Sequence, residues 1–116
     1  MRLDINMKLE NIPLTITDWS TITPEEHKGL SGTSYWKIIE KGNIRVRMVE
    51  YSPNFQSDHF CEQGHIILVL EGKLTIELKN GQRYFVDTGQ SLHIPDDPQN
   101  PHSVSSEYGA KVFIVD

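Results

Sequence analysis

Asp58-His59-Phe60-Cys61-Glu62-Gln63-Gly64-His65-Ile66-Ile67-Leu68-Val69-Leu70-Glu71-Gly72 is the stretch whose reading decides the fold. It holds the only cysteine, two of the five histidines and the longest apolar run, Ile66 to Leu70. The run has the length of a buried strand, and Glu71-Gly72 reads as the turn that ends it. His59 and Cys61 are two positions apart, so on an extended backbone their side chains leave the same face. Glu62-Gln63-Gly64 is a polar break that lets the chain turn before the strand beginning at His65. Three borderline or soft ligands are therefore expected to converge from two neighbouring strands, the donor set a transition metal takes.

Downstream, Lys73 to Lys79 alternates with Leu74, Ile76 and Leu78 on one face. Asn80-Gly81 predicts a two-residue hairpin turn with positive φ at both positions, and Gln82 to Asp87 pairs back. After Thr88-Gly89-Gln90, Ser91 to Ile94 is a short strand ending at Pro95. The loop Asp96–Pro101 leads to His102-Ser103-Val104-Ser105, and Ala110 to Val115 is the last strand, with Val112 and Ile114 sharing a face.

Upstream, Ile44 to Tyr51 alternates and ends at Pro53, and Tyr35 to Glu40 precedes it. Residues 1–34 read as an irregular arm on a barrel spanning 35–116, with Trp19 as its anchor. Within the arm, Thr23-Pro24-Glu25-Glu26 has the start signals of one helical turn ended by Gly29, with His27 on its surface. About eight short strands with regular turns and no long helix predict an all-β antiparallel sandwich or small barrel.

The 116 residues suit one domain with one core. No run approaches the roughly 18 apolar residues of a membrane helix, and Met1–Asn6 has no apolar stretch of signal-peptide length. A single cysteine forms no internal disulfide and suits a reducing, cytoplasmic compartment. The net charge of −5 argues against nucleic acid as a partner. Arg45 and Arg47 share one strand face, either solvated or aimed at an anion inside a pocket.

Taken together, His59-x-Cys61-x3-His65-x6-Gly72 resembles the first motif of the cupin superfamily, usually His-x-His-x3–4-Glu-x6-Gly. Gly89-x5-Pro95 followed by His102 resembles the second, with the histidine seven positions after the proline instead of five. Asp58-His59-Phe60-Cys61 is similar to the small single-domain cupins named for a DHCW motif. The likeness covers roughly residues 17–116. It implies a cupin-type jelly-roll β-barrel, a metal at its mouth held by His59, Cys61, His65 and His102, and frequently a homodimer, for which Tyr35–Glu40 is the expected edge.

Cys61 stands at the position of the second histidine and His65 at that of the glutamate. A thiolate in the set favours zinc, with iron(II), nickel and cobalt as alternatives. Arg47, Gln63, Tyr84 and Glu50 are the polar candidates for orienting a small-molecule ligand in the barrel. Asp58 either hydrogen-bonds a ligand histidine or faces solvent. His93 matches no motif position and is expected in the core or at the rim.

Three functions fit this pattern: a metal-dependent enzyme acting on a small, anionic metabolite, a non-catalytic binding or sensing module, and a domain whose metal is purely structural.

Overall fold

The computed structural model describes residues 7–116, and the reading of Met1–Asn6 lies outside them. Nine strands follow in chain order: β1 (Glu25–Lys28), β2 (Thr33–Lys41), β3 (Ile44–Tyr51), β4 (Phe55–Gln56), β5 (His65–Leu78), β6 (Arg83–Asp87), β7 (Ser91–Ile94), β8 (His102–Ser106) and β9 (Ala110–Val115). Every pairing is antiparallel.

The fold turns on β5. Its first half pairs with β9 and β7, and its second half with β8 and β6. One strand thus belongs to both layers: β1-β2-β3-β9-β5-β7 on one side and β4-β8-β5-β6 on the other. The expected turn at Glu71-Gly72 is instead a bend inside a continuous strand, with a register shift between Val69 and Glu71. Gly72 carries it because its φ is 79°, and a Cβ there would collide with the carbonyl of Gly109. The result is a jelly-roll β-barrel.

Alternation places the core as the sequence predicts. Ile67, Val69, Leu74 and Ile76 of β5 are buried and face Val112 and Ile114 of β9, Val49 of β3 and Val86 of β6. Trp19 anchors the arm edge-on against Phe113, with ring centroids 6.4 Å apart. Asp18 caps the short 3-10 turn Trp19–Thr21 by accepting from the Ser20 amide and hydroxyl. Among the described residues, no helix is long and apolar enough to cross a membrane.

Three local expectations are corrected. Thr23–Gly29 forms no helical turn: Glu25–Lys28 is strand β1, paired with Thr33–Trp36. The capping signals there are local and weak, and one isolated turn does not nucleate, whereas the hairpin gains ladder bonds and a stack of His27 on Trp36 at 4.1 Å. Strand β2 is in consequence no simple edge, since β1 covers its first four residues and leaves Lys37–Lys41 unpaired on that side. At the tight hairpin only Gly81 has positive φ. The Gly81 amide bonds Leu78 and the Leu78 amide bonds Gln82, which makes a three-residue loop with a bulge. The Asn80 side chain accepts from the Gln82 amide and holds that form.

Candidate metal centre

Cys61 reaches the site through a two-bond bridge. Its amide donates to the His102 carbonyl at 2.6 Å, and the His102 amide donates back at 3.0 Å. Directly opposed residues of an antiparallel pair project to the same side, so the thiol and the His102 imidazole share the inner face. His65 arrives as the first residue of β5, at the inward parity of Ile67 and Val69. Gly64 lets this happen by close approach, with no need of positive φ: a Cβ there would collide with the Ile94 carbonyl of β7. The Asp96–Pro101 loop braces the connection, Asp96 accepting from the Gly64 amide at 2.5 Å and the Asp97 amide donating to Glu62 at 3.0 Å.

One donor atom each from Cys61, His65 and His102 lies within 4.8 Å of the others. Cys61 Sγ is 3.6 Å from His65 Nε2, and the two imidazoles meet edge-on with centroids 5.0 Å apart. Zinc bonds of about 2.3 Å to sulfur and about 2.05 Å to nitrogen, at a tetrahedral angle, put those atoms about 3.6 Å apart. The thiol–imidazole pair already has that spacing, so the donor set fits a transition metal. His102 is 3% exposed, and burial, followed by the neighbouring His65 and His59, brings its pKa down from 6.5 to about 4. The ring is therefore neutral at pH 7, as ligation requires.

His59 stays outside the cluster. Ser57–Phe60 is bent instead of extended, so the same-face rule for His59 and Cys61 has no strand to act on. The Ser57 hydroxyl bonds the His59 carbonyl, and the His59 ring, its side chain 70% exposed, lies 2.7 Å from Asp58. Asp58 thus does contact a histidine, but one facing solvent. His93 is exposed on the outer side of β7, neither core nor ligand.

Arg45 and Arg47 face inward, and the anion they meet is the chain's own. Arg45 donates from Nε and Nη2 to both carboxylate oxygens of Asp116, at 2.9 and 2.8 Å, and Arg47 Nη2 donates to Oδ2 at 3.0 Å. The pair faces an anion rather than solvent, as the second reading expects, but that anion is a carboxylate of the same chain and not a ligand. Arg47 is 5% exposed, stacks over Trp36 at 4.6 Å and keeps one buried donor, Nε, without an acceptor.

The same Asp116 Oδ2 lies 2.6 Å from His65 Nδ1. The ring's N–H direction misses the ideal line to that oxygen, so this is a short imidazole–carboxylate contact of imperfect angle. Burial raises the Asp116 pKa, but the hydrogen bond from Arg45, the His65 contact and the charges of Arg47 and Arg45 outweigh it and hold the carboxyl well below the usual range. Asp116 went unnoticed in the sequence. Its signal is parity: it continues the inward series Val112, Ile114.

Of the pocket candidates, Gln63 joins Arg45, Asp116, Lys41 and Asn43 around an open cleft of about 480 Å³ beside the cluster. Arg47 lies deeper, behind Asp116. Tyr84 is exposed on β6, and Glu50 lines a separate outer cavity with Trp19 and Lys37.

No protein-family model matches the chain, and no curated protein does. Solved structures do match. The polyketide cyclase RemF of Streptomyces resistomycificus is 23% identical, with a TM-score of 0.69 over 89% of this chain and 78% of that one. A predicted oxalate decarboxylase of Thermotoga maritima is 15% identical, with a TM-score of 0.69 over 87% and 96%. An RmlC-like cupin of Shewanella frigidimarina is 11% identical, with a TM-score of 0.68 over 90% and 91%. The fold is that of the cupins. Within this cupin barrel the inward faces of β3, β5, β8 and β9 supply Arg45, Arg47, His65, His102 and, just past β9, Asp116, all at one end.

Proposed function

We propose that the protein binds a divalent transition metal, zinc foremost, through Cys61, His65 and His102, and offers the metal's remaining position to a small molecule. The observation that carries this is the 3.6 Å approach of Cys61 Sγ to His65 Nε2, with His102 converging on them. Three donors leave a tetrahedral ion one open position, the mark of a catalytic or ligand-binding site and not of a closed structural one. When bound, the metal would supply Lewis acidity to that molecule. The similar structures include a polyketide cyclase, a predicted oxalate decarboxylase and a sugar phosphate isomerase, chemistries diverse enough that fold does not choose among them. Because Asp116 already occupies Arg45 and Arg47, the arginine pair no longer argues for an anionic substrate.

Metal analysis of the purified protein tests the reading first, and cobalt substitution tests the thiolate. Wild-type protein should show an intense near-ultraviolet sulfur-to-cobalt band that Cys61→Ser abolishes. An unchanged spectrum excludes the sulfur. The structural alternative is separated by thermal melts with and without chelator, a collapse of folding on chelation favouring it.

A second copy of the chain is the proposed partner. Leu14 and Ile16 of the arm, and Ile66, Leu68 and Leu70 on the outer face of β5, stand exposed at alternating positions. With Leu9 they offer roughly 400 Å² of apolar surface, taking about 120 Å² for a fully exposed aliphatic side chain. One side of a standard interface holds about 450 Å² of apolar area. Light scattering should report a dimer that Leu68→Asp converts to monomer. A monomeric wild type overturns this.

A further inference from the structure

We infer that Asp116 is a positioning residue for the metal centre: it fixes the tautomer and the aim of His65, and Arg45 and Arg47 exist to hold Asp116 in place. The inference rests on the metal-centre reading only for its consequence on affinity, since the geometry stands by itself.

The starting point is the 2.6 Å separation of Asp116 Oδ2 from His65 Nδ1. An ionised carboxylate offers only acceptors. A bare, electron-rich Nδ1 2.6 Å from that oxygen, even off the direct line, would set two negative atoms together inside a site where both side chains are 7% exposed, whereas an Nδ1 proton relieves the repulsion. The proton of neutral His65 therefore resides on Nδ1. Nε2 is left as the unprotonated nitrogen, and it is the atom 3.6 Å from Cys61 Sγ. A carboxylate behind a ligating imidazole sets both ring orientation and basicity.

What holds the carboxylate follows from strand register. Val46 pairs with Val115 and Arg47 with Ile114, which sets Arg45 opposite Asp116, their backbones bonded both ways at 2.6 and 2.9 Å. Arg45 then grips the carboxylate with two parallel N–H donors, the strongest and most directional form of this pairing. Arg47 adds a third from below, itself pinned under Trp36. Three donors converge on Asp116, so its oxygens have no freedom to turn from His65. One buried and one half-buried arginine around a single acid make a costly arrangement for packing alone, and removing the acid leaves both cations without their partner.

The test is ¹⁵N–¹H correlation NMR of the His65 ring in metal-free protein, with zinc affinity measured by competition against a chromophoric chelator. Wild type should show Nδ1–H with Nε2 unprotonated. In Asp116→Asn the two arginines claim the amide oxygen and turn its NH₂ toward His65, which should drive the proton to Nε2. Zinc affinity should fall roughly 10–100-fold, while the His102 ring resonances stay in place. Asp116→Glu, which restores a carboxylate, should recover the Nδ1–H form in part.

An Nε2–H tautomer in the wild type overturns the proposal even if zinc binds tightly. An unchanged tautomer and affinity in Asp116→Asn overturns it as well. If wild type binds no zinc, the metal reading fails while the tautomer still decides the role of Asp116. Should Asp116→Asn not fold, the wild-type tautomer and Asp116→Glu decide it.

Discussion

Strand β5 and the bend Ser57–Phe60 each bring one histidine toward the barrel mouth, and they treat it in opposite ways. β5 is hydrogen-bonded on both flanks over its first half, so its pleat cannot rotate. Over that half its side chains alternate: His65, Ile67 and Val69 are buried, while Ile66, Leu68 and Leu70 are exposed. Beyond the single bond from the Ser57 amide to Val104 of β8, Ser57–Phe60 joins no ladder and bends at Asp58–His59, and His59 ends in solvent against Asp58. Two bonds to His102 restore order at Cys61, one residue beyond the bend. Side-chain direction is thus dictated by the ladder on either side, and motif spacing inherits its meaning from that ladder.

The sharpest break of this comparison is energetic. Ile76 on β5 is 1% exposed, and Ile76→Ala should cost roughly 2–4 kcal/mol, from lost transfer free energy plus a cavity. Ile66→Ala on the outer face of the same strand should stay within about 0.5 kcal/mol in monomeric protein. Denaturant unfolding of the pair decides it, and equal losses would mean that the two faces of β5 are not distinct.

Next come the ligands on ordered backbone. His65→Ala and His102→Ala should each lower zinc or cobalt affinity by roughly a hundredfold or more, because loss of a mere outer partner already costs roughly 10–100-fold. Calorimetry on refolded, metal-free protein reads this directly. A change of under threefold in either variant removes that residue from the site.

Acid should reveal the same inner face in metal-free protein, through stability instead of binding. His102 has its folded pKa at about 4, below the ordinary 6.5. The unfolded chain therefore takes up a proton that the folded one refuses, and stability falls as pH drops from 6.5 toward 4. Asp116 has its pKa depressed as well. Its contribution is intact above 3.8 and is lost as pH falls further, so the decline continues below pH 4. Melting temperatures between pH 8 and 3 should trace this fall, with His102→Gln flattening its upper part. A melting temperature constant down to pH 4 would contradict the burial of His102.

How much of this was legible in the sequence follows the same division. Alternation in Lys73–Leu78 and Ala110–Val115 and the contact of Trp19 with the barrel were legible, because each depends on period or on bulk apolar contact. Of the four residues expected at the metal, Cys61, His65 and His102 come together and His59 does not. The β1 hairpin was hidden behind genuine helix-start residues, Thr23-Pro24-Glu25-Glu26, since the competing bonds come from β2 and leave no local trace. Asp116 was hidden more deeply. Period gives the face of Arg45, Arg47 and Asp116, but only the register of β3 on β9 makes them neighbours, and register is a property of two strands together.

The smallest expected effect carries the most information about the motif. His59→Ala should change metal affinity by less than about threefold, the size of a surface substitution, because its ring faces solvent and leans on Asp58. The resemblance to the cupin motif implies a ligand at this position, so the variant weighs motif against backbone. A loss of tenfold or more would mean that Ser57–Phe60 straightens when the metal arrives and delivers a fourth donor. That closure would exchange the contact with Asp58 for a metal bond, and Asp58→Asn should then strengthen binding by freeing the ring. No effect from either substitution leaves Cys61, His65 and His102 as the protein ligands, so that a tetrahedral ion would keep one position for a small molecule.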